Sequence, residues 1–262
     1  ELYCAPGSAG IGQEAETVDI GASEIEKLAD FAARKAIDLT VVGPEQPLAL
    51  GIGDLFERRG LKLFGPSREA ARLESSKAFA KELMLANGIP TAACEVFSDI
   101  NKAKKYVRTN QPWVVKADGL AAGKGVILCS STEEAEAALD EIMGRKIFGT
   151  AGDRVVIEEL LIGEEASFMA LMDEDHFLPL ASAQDHKRIF DGDEGPNTGG
   201  MGAYSPAPVV DGAVHDAVVH RVLKPLAAGL KRLGLVYRGV LYAGIMITED
   251  GPKVLEFNCR LG

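Results

Sequence analysis

Lys116, Lys124, Glu256 and Asn258 are the side chains of this chain whose types and settings point most directly to chemistry. The stretch Pro112–Ser131, PWVVKADGLAAGKGVILCSS, places Lys116 at the end of one apolar run and Lys124 inside the Gly119–Gly125 turn. A glycine-rich turn lets backbone N–H groups approach phosphate oxygens, and a lysine beside it supplies charge. It is not a Walker A loop, which needs four residues between its glycines and a Ser or Thr after the lysine. Here Gly119 and Gly123 enclose three residues, Gly125 follows Lys124, and the next element reads as a strand. An ordinary glycine-rich hairpin has the same composition, so this turn alone decides nothing. Near the end of the chain Lys253–Asn258 reads as a strand. Strand alternation puts Glu256 and Asn258 on one face and Phe257 on the other. Two oxygen donors pointing one way suit Mg²⁺ (or Mn²⁺), which draws its remaining ligands from substrate phosphates. A carboxylate buried there without a cation would be costly.

Other residues are weaker candidates taken singly. Arg154–Leu161, RVVIEELL, is an apolar strand running into Glu158 and Glu159, which could simply be a solvated strand end. Lys77 follows Ser75-Ser76 within a helical pattern, where a lysine is ordinarily a solvated charge. Gln184–Tyr204 is polar, glycine-rich and longer than the ~12–15 residues beyond which loops tend to be functional or disordered. Its Lys187-Arg188 pair and Asn197–Gly202 run could bind an anion. The four histidines form no zincin motif, and His215 and His220 are five apart, poor spacing for one helical face. Cys4, Cys94, Cys129 and Cys259 lack Cys-x-x-Cys spacing, which argues against zinc and makes a reducing cytoplasm the default.

The elements that must position these residues begin with alternating strand and helix signals over the first 66 residues. Strands are expected at Glu1–Cys4, Leu39–Val42 and Leu61–Phe64. Helices are expected from a Ser23 cap to about Lys35 and over Leu50–Arg59. Such alternation implies a parallel sheet, with ligands at the carboxyl ends of its strands. A sheet that opens on the tail of a strand suggests that the chain starts inside a domain. One long helix is expected over Ser67–Asn87, and a short one over Ala103–Arg108. Another runs from a Ser131–Glu134 capping box to about Met143. A strand at Phe168–Met172 follows, then a helix over Ala213–Arg232 kinked at Pro225. A final hairpin, Gly239–Ile247 with Lys253–Asn258, closes through Glu249-Asp250-Gly251.

A net charge of −11 gives an overall field that does not attract DNA, RNA or an anionic membrane. An anionic nucleotide needs only local positive charge. No apolar run approaches the ~18 residues of a membrane span, and the start does not resemble a signal peptide.

Taken in order, these pieces resemble an ATP-grasp fold. The segments Gly43-Pro44-Glu45, Leu73–Lys77, Lys116–Gly125, Gln184–Arg188, Gly195–Tyr204 and Glu256–Arg260 look like phosphoribosylamine–glycine ligases. The resemblance implies a mixed α/β and α+β chain, with a partial N-terminal parallel-sheet (pre-ATP-grasp) domain before a two-subdomain ATP-grasp fold. The partial domain would span residues 1–66. A core subdomain would take residues 67–93 and 167–262, and a lid subdomain bearing the Gly-rich flap residues 94–166.

The same resemblance implies roles. Lys77 and Lys116 would contact ATP phosphates under a flap of Gly123, Lys124 and Gly125. Glu158, Glu159 and the backbone near Leu161 would read adenine, with Glu165 on the ribose. Glu256 and Asn258 would hold the metal. Lys187, Arg188 and Arg260 would serve catalysis, and Asp185, Asn197, Thr198, Gly199, Gly200 and Met201 would bind glycine and 5-phosphoribosylamine. The reaction would pass through glycyl phosphate and need no side-chain nucleophile. Another ATP-grasp carboxylate–amine ligase, or an ATP-binding fragment without ligase activity, stays open as an alternative. Many ATP-grasp enzymes carry a second metal carboxylate about where this chain has Gly244. The family's N-terminal strand with its glycine loop, and its C-terminal domain, have no counterpart here, so both ends are expected to be truncated. A cytoplasmic monomer without nucleic-acid or membrane partners is the accompanying expectation.

Overall fold

The computed structural model describes residues 1–109, 113–121, 124–192 and 194–261. The side chains of residues 187, 188, 194 and 196–201 lie outside the description. The chain opens with β1 (Tyr3–Cys4) and β2 (Glu16–Thr17), followed by α1 (Ile25–Arg34), β3 (Thr40–Val41), α2 (Glu45–Leu50), α3 (Ile52–Arg58) and β4 (Leu63–Phe64). The strands pair in parallel, β1 with β2 and β3 with β4, but as two separate two-stranded sheets rather than one. Ser23 does not cap α1. Glu24 occupies that place, with its carboxylate folded back to accept the Gly21 N–H at 2.8 Å. The single helix expected over Leu50–Arg59 is two, because Gly51 turns left-handed at φ +91 between them.

The long helix expected over Ser67–Asn87 is also interrupted, giving α4 (Arg72–Ser75) and α5 (Lys77–Ala86). Ser76 between them is extended (φ −141, ψ 105), and its hydroxyl accepts the Phe79 N–H. A serine that caps the following turn competes with the helix ladder it would otherwise continue. Lys77 is therefore the first residue of a helix rather than one of its interior charges.

Next come β5 (Cys94–Phe97), α6 (Ile100–Val107), β6 (Trp113–Ala117), β7 (Val126–Cys129), α7 (Thr132–Leu139) and β8 (Val155–Glu159). The capping box forms as Ser131 Oγ accepting from Glu134 N, while the Glu134 carboxylate reaches back to Ser130 N. The four strands make one antiparallel sheet in the order β5-β8-β6-β7. Residues of α6, α7 and the sheet, among them Trp113, Val115, Leu139 and Ile157, close a hydrophobic core on one face.

The larger core is separate. It joins α1–α5 to the second four-stranded sheet and to α8 (Gly212–Val218) and α9 (Lys224–Arg232). That sheet orders β10 (Phe177–Pro179), β9 (Glu164–Met172), β13 (Gly239–Thr248) and β14 (Gly251–Asn258). Between α8 and α9, Val219–Leu223 forms a π turn immediately before the residues that carry Pro225, which lacks an N–H for the ladder. The segment expected as a long loop is an antiparallel ribbon of β11 (Gln184–Phe190) and β12 (Glu194–Tyr204) with two register shifts. Main-chain pairing organises it despite the glycines and polar residues. Among the described residues no helix is long and apolar enough to cross a membrane.

One irregularity in β14 positions chemistry. Its register with β13 jumps between Gly244↔Glu256 and Ile245↔Val254, leaving Leu255 as an extra residue. Without that bulge, Glu256 would share the buried face of Pro252 and Val254. With it, Phe257 turns inward and Glu256 and Asn258 turn outward. Burying a phenylalanine side chain stabilises a fold by about 1.5–3 kcal/mol, and burying an unpaired carboxylate opposes it. Both favour the bulged register. Bulges beside a site commonly re-aim a side chain in this way.

Candidate functional site

Two adjoining cavities lie between the two cores, sharing Lys116, Val126, Glu158, Leu255 and Glu256. The first is polar and charged. Lys77 enters it from the first turn of α5, and its Nζ donates to Gly119 O at 3.2 Å. Burial pushes the Lys77 ammonium below the usual lysine range, while Glu256 opposes that shift. Lys116 comes from β6, on the face opposite the core residues Trp113, Val115 and Ala117. Its Nζ stands 3.0 Å from both oxygens of Glu158 on β8 and donates to Leu255 O at 3.4 Å. Only one of the two contacts to Glu158 has hydrogen-bond geometry, so Glu158 Oε1 has no hydrogen-bond partner among the described residues. The Glu158 carboxylate is thus turned onto lysine rather than presented as an open acceptor.

Glu256 and Asn258 face the same cavity from β14, with Asn258 Nδ2 donating to Glu256 Oε1 at 3.4 Å. Among the described residues no group of three or more His, Cys, Asp or Glu side chains could hold a metal ion. One carboxylate and one amide on a strand face fit a hard divalent cation that completes its shell with phosphate and water oxygens. Arg260, also in this cavity, reaches Glu74 at 3.1 Å and Glu45 at 3.8 Å. Burial raises the Glu74 carboxyl above its usual range, opposed by the hydrogen bond from Cys259 N and by the Arg260 guanidinium.

The second cavity is more apolar. Val126 and Leu128 of β7 and Met246 and Leu255 of the other sheet line it, as do Leu161, Glu165 and Asp185, while the Ile245 side chain belongs to the larger core. Glu159 lies here too, but its side chain accepts from Ala93 N at 3.0 Å and sits 4.0 Å from Lys253, tying β8 to its neighbours. Gly125 closes the hairpin of β6 and β7. A Cβ there would stand 2.7 Å from Ala121 Cβ, while Gly125 O accepts from Ala117 N at 2.8 Å. Lys124 is exposed and lines neither cavity. Gly123 lies outside the described residues. The Lys187, Arg188, Asn197, Thr198 and Met201 side chains are also outside the description. Their backbone belongs to the β11–β12 ribbon with Gly199 and Gly200, and Arg188 pairs with Asn197 in register.

Three residues that sequence reasoning passed over hold the site together. Lys81 on α5 makes the second ion pair to Glu158, at 2.9 Å. Asp118, at the end of β6, accepts from Ser76 Oγ and Ala78 N and pairs with Arg154. Glu74 holds Arg260. Each partnership spans dozens of positions, so no local spacing announces it. The Ser75-Ser76 doublet before Lys77 is the one local signal of a new helix start.

Comparison with known proteins places these elements in context. The model of the phosphoribosylglycinamide synthetase ATP-grasp (A) domain matches residues 75–262, and that of the N domain of the same synthetase matches residues 1–74. A phosphoribosylamine–glycine ligase of Allochromatium vinosum is 56% identical over 266 aligned residues. They cover 100% of this chain and 62% of that protein. One of Caldanaerobacter subterraneus is 51% identical and covered to 63%. The crystal structure of a phosphoribosylamine–glycine ligase from Thermotoga maritima superposes with a TM-score of 0.84 at 36% identity, covering 100% of this chain and 63% of that one. The chain therefore spans a little over three fifths of the length of these relatives.

Proposed function

This chain belongs to the phosphoribosylglycinamide synthetase family, and on that premise we propose that it carries out the ATP-dependent joining of glycine to 5-phosphoribosylamine. The observation that carries the reading is the cleft itself, where Lys77 and Lys116 converge with Glu256 and Asn258 between two cores. ATP would lie with its adenine between Val126 and Leu128 on one side and Met246 and Leu255 on the other. The main chain from Glu159 to Leu161 would read the base edge, and Glu165 the ribose. The phosphates would reach Lys77 and Lys116. Glu256 and Asn258 would hold Mg²⁺ or Mn²⁺, whose charge would offset that of the phosphates.

A glycine carboxylate oxygen would attack the γ-phosphorus, breaking its bond to the β–γ bridging oxygen and releasing ADP. The amine nitrogen of phosphoribosylamine would then attack the acyl carbon of glycyl phosphate, releasing inorganic phosphate and an amine proton. Most of the acceleration in such phosphoryl transfers comes from positioning and charge stabilisation, which buried lysines and a bound cation provide. Arg260, Lys187, Arg188, Asp185 and the Asn197–Met201 stretch are assigned to the glycine and phosphoribosylamine ends of the site. Residues 1–66 form the N-terminal unit of this reading. Residues 67–93 with 167–262 make its core subdomain, and residues 94–166 the lid.

The test is ADP formation from Mg²⁺-ATP, with glycine and freshly generated phosphoribosylamine added separately and together. Turnover that needs both supports the ligase reading. Nucleotide binding without turnover would leave an ATP-binding unit only, and failure to bind ATP would overturn the assignment of the cleft.

A further inference from the structure

Lys81 has no part in the scheme above, yet at 2% exposure it is the most deeply buried lysine among the described residues. It sits four residues after Lys77 on α5, hence on the same helix face, and lines the same cavity. Its Nζ lies 2.9 Å from Glu158 Oε2 and donates to Thr91 Oγ1 at 2.6 Å. Thr91 Oγ1 in turn donates to Val254 O at 2.6 Å, just before the Leu255 bulge that aims Glu256. Glu158 is itself 2% exposed and is shared between Lys81 and Lys116.

The sharing has an electrostatic consequence. One buried carboxylate facing one lysine is a closed, neutral pair, and drawing that lysine toward a phosphate would strip the carboxylate of its partner, which is expensive away from water. A second lysine leaves the group net positive and keeps Glu158 paired when the first one turns. Burial pushes the Lys81 ammonium below the usual lysine range, and the Glu158 carboxylate opposes that shift. We propose that Lys81 is a positioning residue for the nucleotide phosphates, acting through Glu158 to free Lys116 for the incoming anion. This rests on the reading of the cleft as an ATP site.

Titration calorimetry with a non-hydrolysable ATP analogue and Mg²⁺ tests it on the full chain, comparing wild type, K81M, E158Q and the double variant. K81M is expected to weaken binding by roughly ten- to a hundredfold, because Lys116 becomes committed to Glu158. On the E158Q background, where no carboxylate competes for Lys116, the same K81M change is expected to cost threefold or less. The same factor on both backgrounds would show that Lys81 does not act through Glu158, and a K81M loss as large for AMP as for the triphosphate analogue would mark a merely structural ion pair; either result overturns the proposal, as does K81M binding within twofold of wild type. Should circular dichroism show K81M unfolded, T91V carries the test, since it keeps the charge and removes its oxygen anchor. T91V is expected to bind three- to tenfold more weakly, and unchanged binding overturns the proposal. Wild type that fails to bind the analogue would overturn the ATP reading itself, and this inference with it. Wild-type binding with indifferent K81M or T91V overturns this inference alone.

Discussion

Ser76 Oγ donates to Asp118 Oδ1 across 3.0 Å, joining residues forty-two positions apart at the margin where the two cores meet. The same carboxylate oxygen accepts from Ala78 N at 2.7 Å, and the other is held by Arg154. Asp118 therefore caps α5 from outside the helix, at the turn that presents Lys77. Asp118→Ala is expected to cost about 2–3 kcal/mol, since lost caps and broken buried networks run from about 1 to 5. The lower part of that range applies because Arg154, 43% exposed, can return to water. Urea unfolding measures the cost, and a loss below about 0.5 kcal/mol would show that Asp118 holds nothing.

Lys116→Ala and Glu256→Ala are each expected to abolish measurable turnover while leaving the far-ultraviolet circular dichroism spectrum unchanged. Removing one charge-stabilising group from a phosphoryl-transfer site typically costs on the order of 10²–10⁵ in rate. Glu256→Ala should in addition raise the Mg²⁺ concentration needed for nucleotide binding. Wild-type-like rates in either variant would move the reacting phosphates elsewhere.

Much of this site was legible because it follows from short-range rules. The alternation that turns Glu256 and Asn258 away from Phe257, the hairpin joining Lys116 to Val126, and the Ser131 cap all depend on neighbours in sequence. What escaped depends on distant partners or on irregular backbone. Strict alternation carried back from Glu256 puts it on the face of Val254, and only the register jump at Leu255 reconciles the two. Helical spacing runs straight through Ser76, and only the cap formed with Asp118 and Phe79 N breaks it there. The Gln184–Tyr204 ribbon has a loop's composition, and its strands exist through pairing with each other. Lys81 looks like any helix lysine until Glu158 arrives from β8.

Glu74→Gln is expected to flatten part of the stability–pH profile on the acid side. Burial raises the folded-state value of Glu74 above its unfolded value of 4.5. The folded state thus holds more protons than the unfolded one between those two values. The contribution of this group is fully present below 4.5 and is lost as pH rises through the raised value, by at most about 1.4 kcal/mol per pH unit. Urea midpoints followed by circular dichroism should show that slope in wild type minus Glu74→Gln. A difference independent of pH would contradict it.

Gly163→Ala is expected to destabilise the chain by about 1–3 kcal/mol through overpacking and to raise the KM for ATP. A Cβ at Gly163 would stand 2.1 Å from Ile247 O, so strand β13 or the turn between β8 and β9 must shift. That turn carries Leu161 and leads to Glu165, both at the second cavity. A variant with unchanged stability and KM would show that the turn yields freely.

The separation of the two cores has a spectroscopic consequence. Trp113, the sole tryptophan, is buried in the smaller core, while both cores contribute helices. Its fluorescence reports the melting of one cooperative unit, whereas circular dichroism averages over two, so their transition midpoints in the absence of nucleotide need not coincide. A nucleotide gripped from both sides favours the state in which both cores are folded and pulls those midpoints together as its concentration rises. The gap between two optical melting curves is then a direct gauge of how much of the cohesion between the cores is supplied by what they hold.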